Sequence, residues 1–412
     1  MKAKKALPIM LALSMVTAAA AGCGAPAEKK NVTVWAPEEV VELTQSKLDT
    51  WLEGQSEYSG KYTITVSAMG EGEAATQLLT DVEAAADVYG FAQDQLARLV
   101  SAGAISKLGG TFLDNVKNNN DAGSVEAVTF NGDVYAYPET SDNTYFLYYD
   151  KSVVTDPSTL DGILDQCSAA GKKFYMNLQS GWYNVAFFFA TGANVEYSLD
   201  NDGNVVSGVC DYSGDAGLKA MKAMVNLAGN ASFGQMPDGE ASLFDPNGGT
   251  AGAIVSGTWV SSSVKEFLGD NLGVSKLPTF SVDGQSYQMA GFGGYKLVGV
   301  KPQTDTDKLT FCHMVADYIA GEEMQLARFD SNGWGPSNKV AASSDKVKSD
   351  AVIAAVNAQM QFTKPQLQFA NSYWTITEAF GTDINSGKYK DADDTALKAA
   401  LKELEDTLVA AK

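Results

Sequence analysis

The pattern of apolar and polar residues along the chain predicts strands that alternate with helices. Residues 62–68 alternate in polarity, as a half-buried strand does; residues 74–86 are predicted as a helix and residues 87–91 as a further strand. This order is typical of βαβ units and a mainly parallel sheet. Ligands in such sheets bind at the carboxyl ends of the strands, so we expect residues 35–39 and 91–94 at a binding edge.

A central stretch predicts a hairpin, a polar run and a third strand. The first strand is expected at 125–130, followed by Asn131-Gly132, a strong hairpin signal between β-branched and aromatic residues. Pro138 is expected to end the second strand, because proline cannot donate to a ladder. Residues 145–149 are five large residues without alternation, which is typical of a strand buried on both faces. Two apolar strands around a polar run indicate that the chain passes from one domain into another.

The second half repeats this alternation. Strands are predicted at 174–178, 250–255, 273–277 and 294–300, and helices at 182–191, 214–230, 307–320, 349–362 and 393–411. Residues 200–204 faintly resemble a calcium loop but lack its spaced glutamate. A hairpin turn between strands 195–199 and 205–209 is the preferred interpretation.

Residues 1–22 predict an export signal. Three lysines precede an apolar run that is too short for a resident membrane span. The run ends at Ala20-Ala21-Gly22-Cys23, which resembles the lipobox of bacterial lipoproteins. That resemblance implies cleavage before Cys23, acylation of the protein there with chains such as palmitate, and anchoring to the extracellular face of the cell membrane through residues 23–30 as a tether. The alternative is a soluble exported protein that happens to begin with cysteine.

Composition excludes some partners. The 412 residues suggest two or three domain-sized units. Removing the signal takes three of the 30 basic residues and none of the 50 acidic ones, which leaves 27 against 50 and a net charge of −23. Such a surface argues against nucleic acid, whose phosphates require Lys and Arg. The remaining cysteines, Cys167, Cys210 and Cys312, are too widely spaced for a disulfide framework. Two of them could form one disulfide, or all three could be free thiols.

Several catalytic signatures are missing from the sequence. The single histidine, His313, lies in a predicted helix, where a structural role is preferred over a Ser-His or Cys-His mechanism. No G-x-S-x-G, Walker A, H-E-x-x-H or C-x-x-C pattern occurs, so neither a metal nor a cofactor is expected. A glycosidase stays open, because it needs only two acids from anywhere in the chain.

Aromatic residues just past predicted strands or in loops are the remaining candidates for a binding surface. They are Trp35, Phe91, Trp182, Tyr183, Trp259, Trp334, Tyr373 and Trp374. Such side chains offer flat apolar platforms. A pyranose ring has an apolar face that stacks on them and hydroxyl groups that acids or amides hold. The alternative for each aromatic residue is core packing.

The chain resembles the extracellular solute-binding proteins of ABC sugar importers, in particular the maltose/maltodextrin-binding group. The motifs that carry this resemblance are residues 87–95 (DVYGFAQDQ) with 101–103, 131–138, 177–179, 257–259 and 372–374. It implies an α/β, two-lobed, periplasmic-binding-protein-like fold (type II) with a ligand cleft between the lobes. It also implies a monomeric binding protein, not an enzyme, that captures an oligosaccharide for the permease subunits of an ABC transporter.

The resemblance also implies domain boundaries. The N-terminal lobe would comprise residues 31–139 and 290–336, and the C-terminal lobe residues 140–289 and 337–412. Three crossovers would join the lobes, at 139–143, near 287–291 and near 335–340.

Ligand-binding residues follow from the same resemblance. They are Glu38, Glu39, Phe91, Asp94, Gln95, Asp142, Asn143, Trp182, Tyr183, Trp259, Trp334, Tyr373 and Trp374. Asp94 matches a carboxylate that binds sugar hydroxyls, and Phe91 stands where the maltose group has tryptophan. Asp142 and Asn143 are expected to face the cleft, with turn residues that bond their own backbone as the alternative.

Two departures weaken the inference to maltose itself. Gln95 replaces an arginine, and Ser180 replaces a glutamate. Malto-oligosaccharides remain the expected ligands, and another oligosaccharide or a cationic solute is the alternative. A glycan-active enzyme that uses Asp94 and Asp142 is a further alternative. An anionic ligand is disfavoured, because the expected site contains acids but neither Lys nor Arg.

Overall fold

A computed structural model describes residues 29–237 and 239–411 of the chain. The predicted signal and the lipidation position Cys23 lie outside these residues. Within the described ranges, none of the helices combines the length and apolarity that a bilayer crossing requires.

Helices and strands alternate along most of the chain, as the sequence predicts. The strands are β1 Lys30–Ala36, β2 Tyr62–Ala68, β3 Val88–Ala92, β4 Thr129–Phe130, β5 Asp133–Val134, β6 Ala136–Thr140, β7 Phe146–Asp150, β8 Lys173–Met176, β9 Val195–Leu199, β10 Val205–Cys210, β11 Phe233–Gln235, β12 Ala251–Ser256, β13 Leu272–Ser275, β14 Thr279–Val282, β15 Gln285–Gln288, β16 Gly291–Gly293, β17 Lys296–Val300 and β18 Thr363–Pro365. The α-helices are α1 Val41–Glu53, α2 Glu71–Thr80, α3 Leu96–Ser101, α4 Gly110–Asn119, α5 Ala122–Ala127, α6 Leu160–Ala169, α7 Gly181–Thr191, α8 Asp215–Ala228, α9 Ser261–Leu268, α10 Thr306–Ile319, α11 Glu322–Asn332, α12 Lys339–Ser343, α13 Asp345–Lys348, α14 Ala351–Met360, α15 Tyr373–Asn385 and α16 Asp394–Ala410.

Two five-stranded sheets form the centres of two lobes. The first has the order β2-β1-β3-β17-β6 and the second the order β11-β8-β12-β7-β13. In the first sheet only β17 runs antiparallel to its neighbours, and in the second only β7 does. Each sheet packs against its own apolar core. The predicted α/β two-lobed fold with mainly parallel sheets is confirmed.

Three passages connect the lobes. The first runs from β6 to β7, and the second from β16 to β17. The third leads from α11, which packs against α1 and α10, to α14, which packs on β7 and β13. The second passage lies a few residues after its expected position near 287–291, because β15 still pairs with β14 beside the second sheet.

Pro138 does not end a strand, contrary to the sequence prediction. It lies inside β6, opposite Leu297. Since β6 is the edge strand of its sheet, the missing N–H removes no ladder bond on the outer side. The predicted Asn131-Gly132 turn is confirmed, with positive φ at both residues. Of the strand expected at 125–130, however, the first half belongs to α5, and only Thr129–Phe130 is strand.

His313 and the described cysteines have structural environments. The ring of His313 is buried, with Nδ1 2.9 Å from the Tyr137 hydroxyl, and burial lowers its pKa to about 4. The imidazole is therefore neutral near pH 7. Cys167 and Cys312 are buried and Cys210 is half-buried; no disulfide joins any two of these three.

Candidate functional site

A cleft of about 370 Å³ lies between the two lobes. Its lining residues are Glu71, Gly72, Ala92, Asp94, Gln95, Asn143, Ser180, Trp182, Lys296, Gln366 and Trp374. Asp94 follows the carboxyl end of β3, and Ser180 and Trp182 follow that of β8. The cleft therefore lies where the strand order predicts a ligand site. Five residues of the expected site line it: Asp94, Gln95, Asn143, Trp182 and Trp374.

Gln366 connects the two walls of the cleft. Its Nε2 donates to Asp94 Oδ1 at 2.9 Å, and its Oε1 accepts from Asn143 Nδ2 at 3.1 Å and from Trp182 Nε1 at 3.0 Å. Gln95 Nε2 donates to the other Asp94 oxygen at 2.6 Å. One amide thus joins a carboxylate of the first lobe to an indole of the second.

Asp94 is a buried residue, only 4% exposed. Burial raises its pKa to about 7, although the hydrogen bonds from Gln95 and Gln366 act in the opposite direction. The group therefore titrates near neutral pH, and it can accept a hydrogen bond from a polar ligand or, when protonated, donate one.

Lys296 corrects the expectation that the site contains no basic residue. Its buried ammonium lies 3.3 Å from a Glu71 carboxylate oxygen and 4.2 Å from the centre of the Trp334 ring. Burial acts to lower the pKa of Lys296, but nearby carboxylates, with Glu71 foremost, raise it above its ordinary value. The lysine is charged, and Glu71 neutralises it.

Trp182 and Trp374 are the aromatic residues that reach the cleft surface. The Ser180 hydroxyl caps α7 by accepting from the Trp182 N–H at 3.3 Å, which places Trp182 in the first turn of the helix. The Trp182 ring stands edge-on to Tyr145 at 4.7 Å between ring centres. Trp374 lies in the first turn of α15, half-buried, and packs on Phe369 at 5.8 Å. Both rings are held by packing, which favours a preorganised stacking surface.

Trp259 lies behind this surface. Its ring centre is 5.7 Å from that of Trp182, and its Nε1 donates to Glu240 at 3.1 Å. A side chain at position 257 would overlap the Trp259 ring, so Gly257 is needed for this arrangement. Trp259 supports the surface without appearing among the residues that line the cleft.

Phe91, Trp334 and Tyr373 are core residues, contrary to the sequence prediction. Phe91 is fully buried, because β3 is covered on both faces, and it packs on Tyr89. Trp334 and Tyr373 are at most 1% exposed. Tyr183 is half-buried, packs on Tyr145 at 4.8 Å, and does not line the cleft.

The predicted acids other than Asp94 lie outside the cleft lining as well. Glu38 and Glu39 are exposed in the short 3-10 helix after β1. Asp142 is 1% exposed, and its Oδ2 accepts from Thr258 Oγ1 and from the Gly335 N–H, both at 2.6 Å. Its carboxylate therefore links the first passage to the third. Asp142 neither faces the cleft, as the resemblance implied, nor bonds its own backbone with its side chain, as the alternative required.

Glu71, Lys296 and Gln366 were missed by the sequence prediction. Glu71 opens the helix after β2, so the rule that ligands bind at strand carboxyl ends could have identified it. No sequence pattern around Lys296 or Gln366 indicates a ligand site. Each residue reaches the cleft because its strand, or the strand beside it, pairs with a strand that is distant in the sequence.

Comparisons with known proteins agree with this architecture. A family model described as "bacterial extracellular solute-binding protein" matches residues 55–355. A structure solved with acarbose shares 29% identity and a TM-score of 0.78, and covers 93% of this chain and 99% of its own. The structure of the maltodextrin-binding protein MalE1 from L. casei BL23 without ligand shares 25% sequence identity with this chain at a TM-score of 0.74, and the match again covers 93% of this chain and 99% of that one. The GacH receptor of Streptomyces glaucescens GLA.O shares 15% sequence identity at a TM-score of 0.75, and the match covers 93% of this chain and 99% of that one. At this identity the similarity supports the fold alone.

Proposed function

The chain belongs to the bacterial extracellular solute-binding proteins, and from this premise we propose that it captures an oligosaccharide outside the cell and delivers it to the permease of an ABC transporter. The proposed ligands are malto-oligosaccharides, that is, α-glucan fragments. The relative from L. casei that is named a maltodextrin-binding protein supports this choice, as does the relative solved with acarbose.

The observation that carries the proposal is the combination of two indoles with a polar network in one cleft. Trp182 and Trp374 offer apolar ring faces. In the same cleft, Asp94, Asn143 and Gln366 present a carboxyl group and two amides that can exchange their mutual hydrogen bonds for bonds to hydroxyls. A pyranose ring has both complementary features.

The charge balance of the cleft favours a neutral ligand. Glu71 and Lys296 form an ion pair, and burial raises the pKa of Asp94 to about 7, so its negative charge is weakened near neutral pH. Neither an anion nor a cation would therefore meet a strong opposite charge. This balance argues against a cationic solute such as a polyamine, which is the second candidate ligand class.

The glycan-active alternative required Asp94 and Asp142 to act together. Asp142 is buried and its carboxylate is bonded to Thr258 and Gly335, so these two acids do not face one space in this conformation. Prolonged incubation with a labelled oligosaccharide tests the alternative directly, since released products would favour an enzyme over a binding protein.

The proposed mechanism is hinge closure around the three passages. A ligand would bind one lobe first and then gain contacts from the other. Only the difference between its affinities for the open and closed forms can shift the equilibrium. Gln366 supports such a coupling, because it already bonds groups of both lobes.

A thermal-shift screen tests the ligand class. Maltose, maltotriose and longer glucans should raise the unfolding temperature, since a ligand that binds only the folded state stabilises it. Xylo- and galacto-oligosaccharides and polyamines should raise it less. A shift with polyamines alone would contradict the proposal.

Attachment to the membrane through a lipid on Cys23 is part of the proposal, as is a monomeric state. Cys23→Ser should move the expressed protein from the membrane fraction into the medium. Size-exclusion chromatography with light scattering measures the oligomeric state, and a dimer mass would contradict the second point.

A further inference from the structure

The side chain of Gln366 already bonds the polar groups that the proposed function assigns to a sugar. We propose that Gln366 is an internal competitor of the ligand, so that its amide has to leave these groups before a sugar can bind them. The inference rests on the proposed function and adds to it a residue that sets the affinity of the cleft.

The amide of Gln366 is hydrogen-bonded at both ends. Its Nε2 donates to Asp94, and its Oε1 accepts from the Asn143 amide and the Trp182 indole, over distances of 2.9 to 3.1 Å. All three partners line the cleft. Sugar hydroxyl groups offer the same two functions, a donor and an acceptor. The amide therefore satisfies the groups that a pair of hydroxyls would satisfy.

The backbone of Gln366 belongs to the second lobe. Its N–H donates to the Gly293 carbonyl oxygen at 2.9 Å, directly after the pairing of β18 with β16. Only the side chain reaches Asp94 in the first lobe. Gln366 is 5% exposed, so a ligand that enters the cleft meets an amide whose hydrogen bonds are already made.

The bonded amide lowers the apparent affinity of the cleft. A sugar that bonds Asp94 and Trp182 has to break the bonds of Gln366 and to supply both a donor and an acceptor, because a buried polar group left unpaired is unfavourable. The apparent dissociation constant is the intrinsic one divided by the fraction of molecules whose amide is displaced. Three hydrogen bonds outweigh the entropy lost in ordering one glutamine side chain, so this fraction is about a third to a tenth.

The same bonds make Gln366 selective. A ligand that only stacks on the indoles supplies neither a donor to Asp94 nor an acceptor to Trp182, so it cannot displace the amide without leaving these buried groups unpaired. Gln366 therefore favours ligands that carry hydroxyl groups beside an apolar ring face.

A second acceptor lies close to Gln366 and can receive the displaced amide. Gln93 Oε1 is buried and has no hydrogen-bond partner within the described residues. A Cβ atom at Gly294 would lie 3.2 Å from this oxygen and 3.5 Å from Gln366 Cβ. Because position 294 is glycine, the small space between the two glutamines stays open. Rotation of the Gln366 side chain can thus exchange Asp94 for Gln93 as the acceptor, while the backbone stays in place.

Calorimetry with maltotriose compares Gln366→Met and Gln366→Ala with the unaltered protein. Methionine keeps the length of the side chain without a donor, and alanine removes the length as well. Both should raise the affinity about three- to tenfold, because the competing bonds are gone. Gln361→Met, the same substitution at an exposed position outside the cleft lining, should leave the affinity unchanged.

Two results would overturn the internal competitor. An unchanged or lower affinity in both Gln366 variants would make Gln366 neutral or a ligand contact. A gain in Gln366→Ala alone would mean that the volume of the side chain, and not its hydrogen bonds, limits binding.

A measurement without sugar separates this inference from the proposed function. The indole N–H resonance of Trp182, assigned with Trp182→Phe, should exchange with solvent faster in Gln366→Met than in the unaltered protein, because its acceptor is lost. Equal exchange rates would overturn the inference whatever the ligand is. Failure of the unaltered protein and of both Gln366 variants to bind malto-oligosaccharides would instead refute the proposed function.

Discussion

Replacing Asp94 by asparagine should stabilise the unliganded protein at neutral pH. The substitution keeps the shape of the side chain and an oxygen that accepts from Gln366 Nε2. It removes an ionisable group that is 4% exposed and whose pKa burial raises to about 7. Gln95 can rotate its amide to present its oxygen to the new NH₂ group, so both hydrogen bonds can be retained.

The size and the sign of the effect follow from the pKa. A rise from 3.8 to about 7 corresponds to about 4 kcal/mol between the folded and unfolded states. Because the folded state holds the Asp94 proton more tightly, the stability that this group contributes is present below pH 3.8 and is lost as the pH rises to about 7. The asparagine does not titrate, so the stability difference between variant and unaltered protein should grow by about 2–4 kcal/mol across this window and remain constant above it.

Denaturant unfolding at several pH values between 4.5 and 8 measures this difference. Asp270→Asn, the same substitution at an exposed carboxylate, is the control. A stability difference for Asp94→Asn that is independent of pH would refute the reasoning. In the same variant, sugar affinity should fall, because an oxygen that can accept from hydroxyl groups is replaced by an amide nitrogen that can only donate.

Three further substitutions test the site and its supports, and a fourth, at an exposed ion pair, serves as a control. Trp374→Ala should weaken malto-oligosaccharide binding by about 1–3 kcal/mol in calorimetry, and an unchanged affinity would remove Trp374 from the site. Asp142→Ala should lower the free energy of unfolding by about 1–3 kcal/mol, because two buried donors lose their acceptor; equal stability would contradict the tie between the passages. Arg328→Met should lower it by about 3–5 kcal/mol, because the buried Glu139 carboxylate, 3.0 Å away, loses its partner. Lys402→Met, at an exposed ion pair, should change it by less than about 1 kcal/mol.

Elements with a local signal could be predicted from the sequence. The alternation in residues 62–68 and the Asn131-Gly132 turn depend on neighbouring residues alone, and both are present in the structure. The hairpin interpretation of residues 200–204 is likewise confirmed by β9 and β10. Pro138 was misjudged because its effect depends on whether its strand lies at the edge of a sheet, which adjacent residues do not specify.

The composition of the cleft was decided by tertiary structure. Phe91 and Trp182 both follow the pattern of a binding aromatic, yet coverage of β3 on both faces buries the first, while the cap of α7 brings the second to the cleft. Lys296 and Gln366 enter the site because β17 joins the first sheet and β18 pairs with β16. Sequence patterns predict which residues can form strands and stacking surfaces, since these properties are local. Which of them share a cleft depends on strand pairing between distant segments, and only the folded chain brings those segments together.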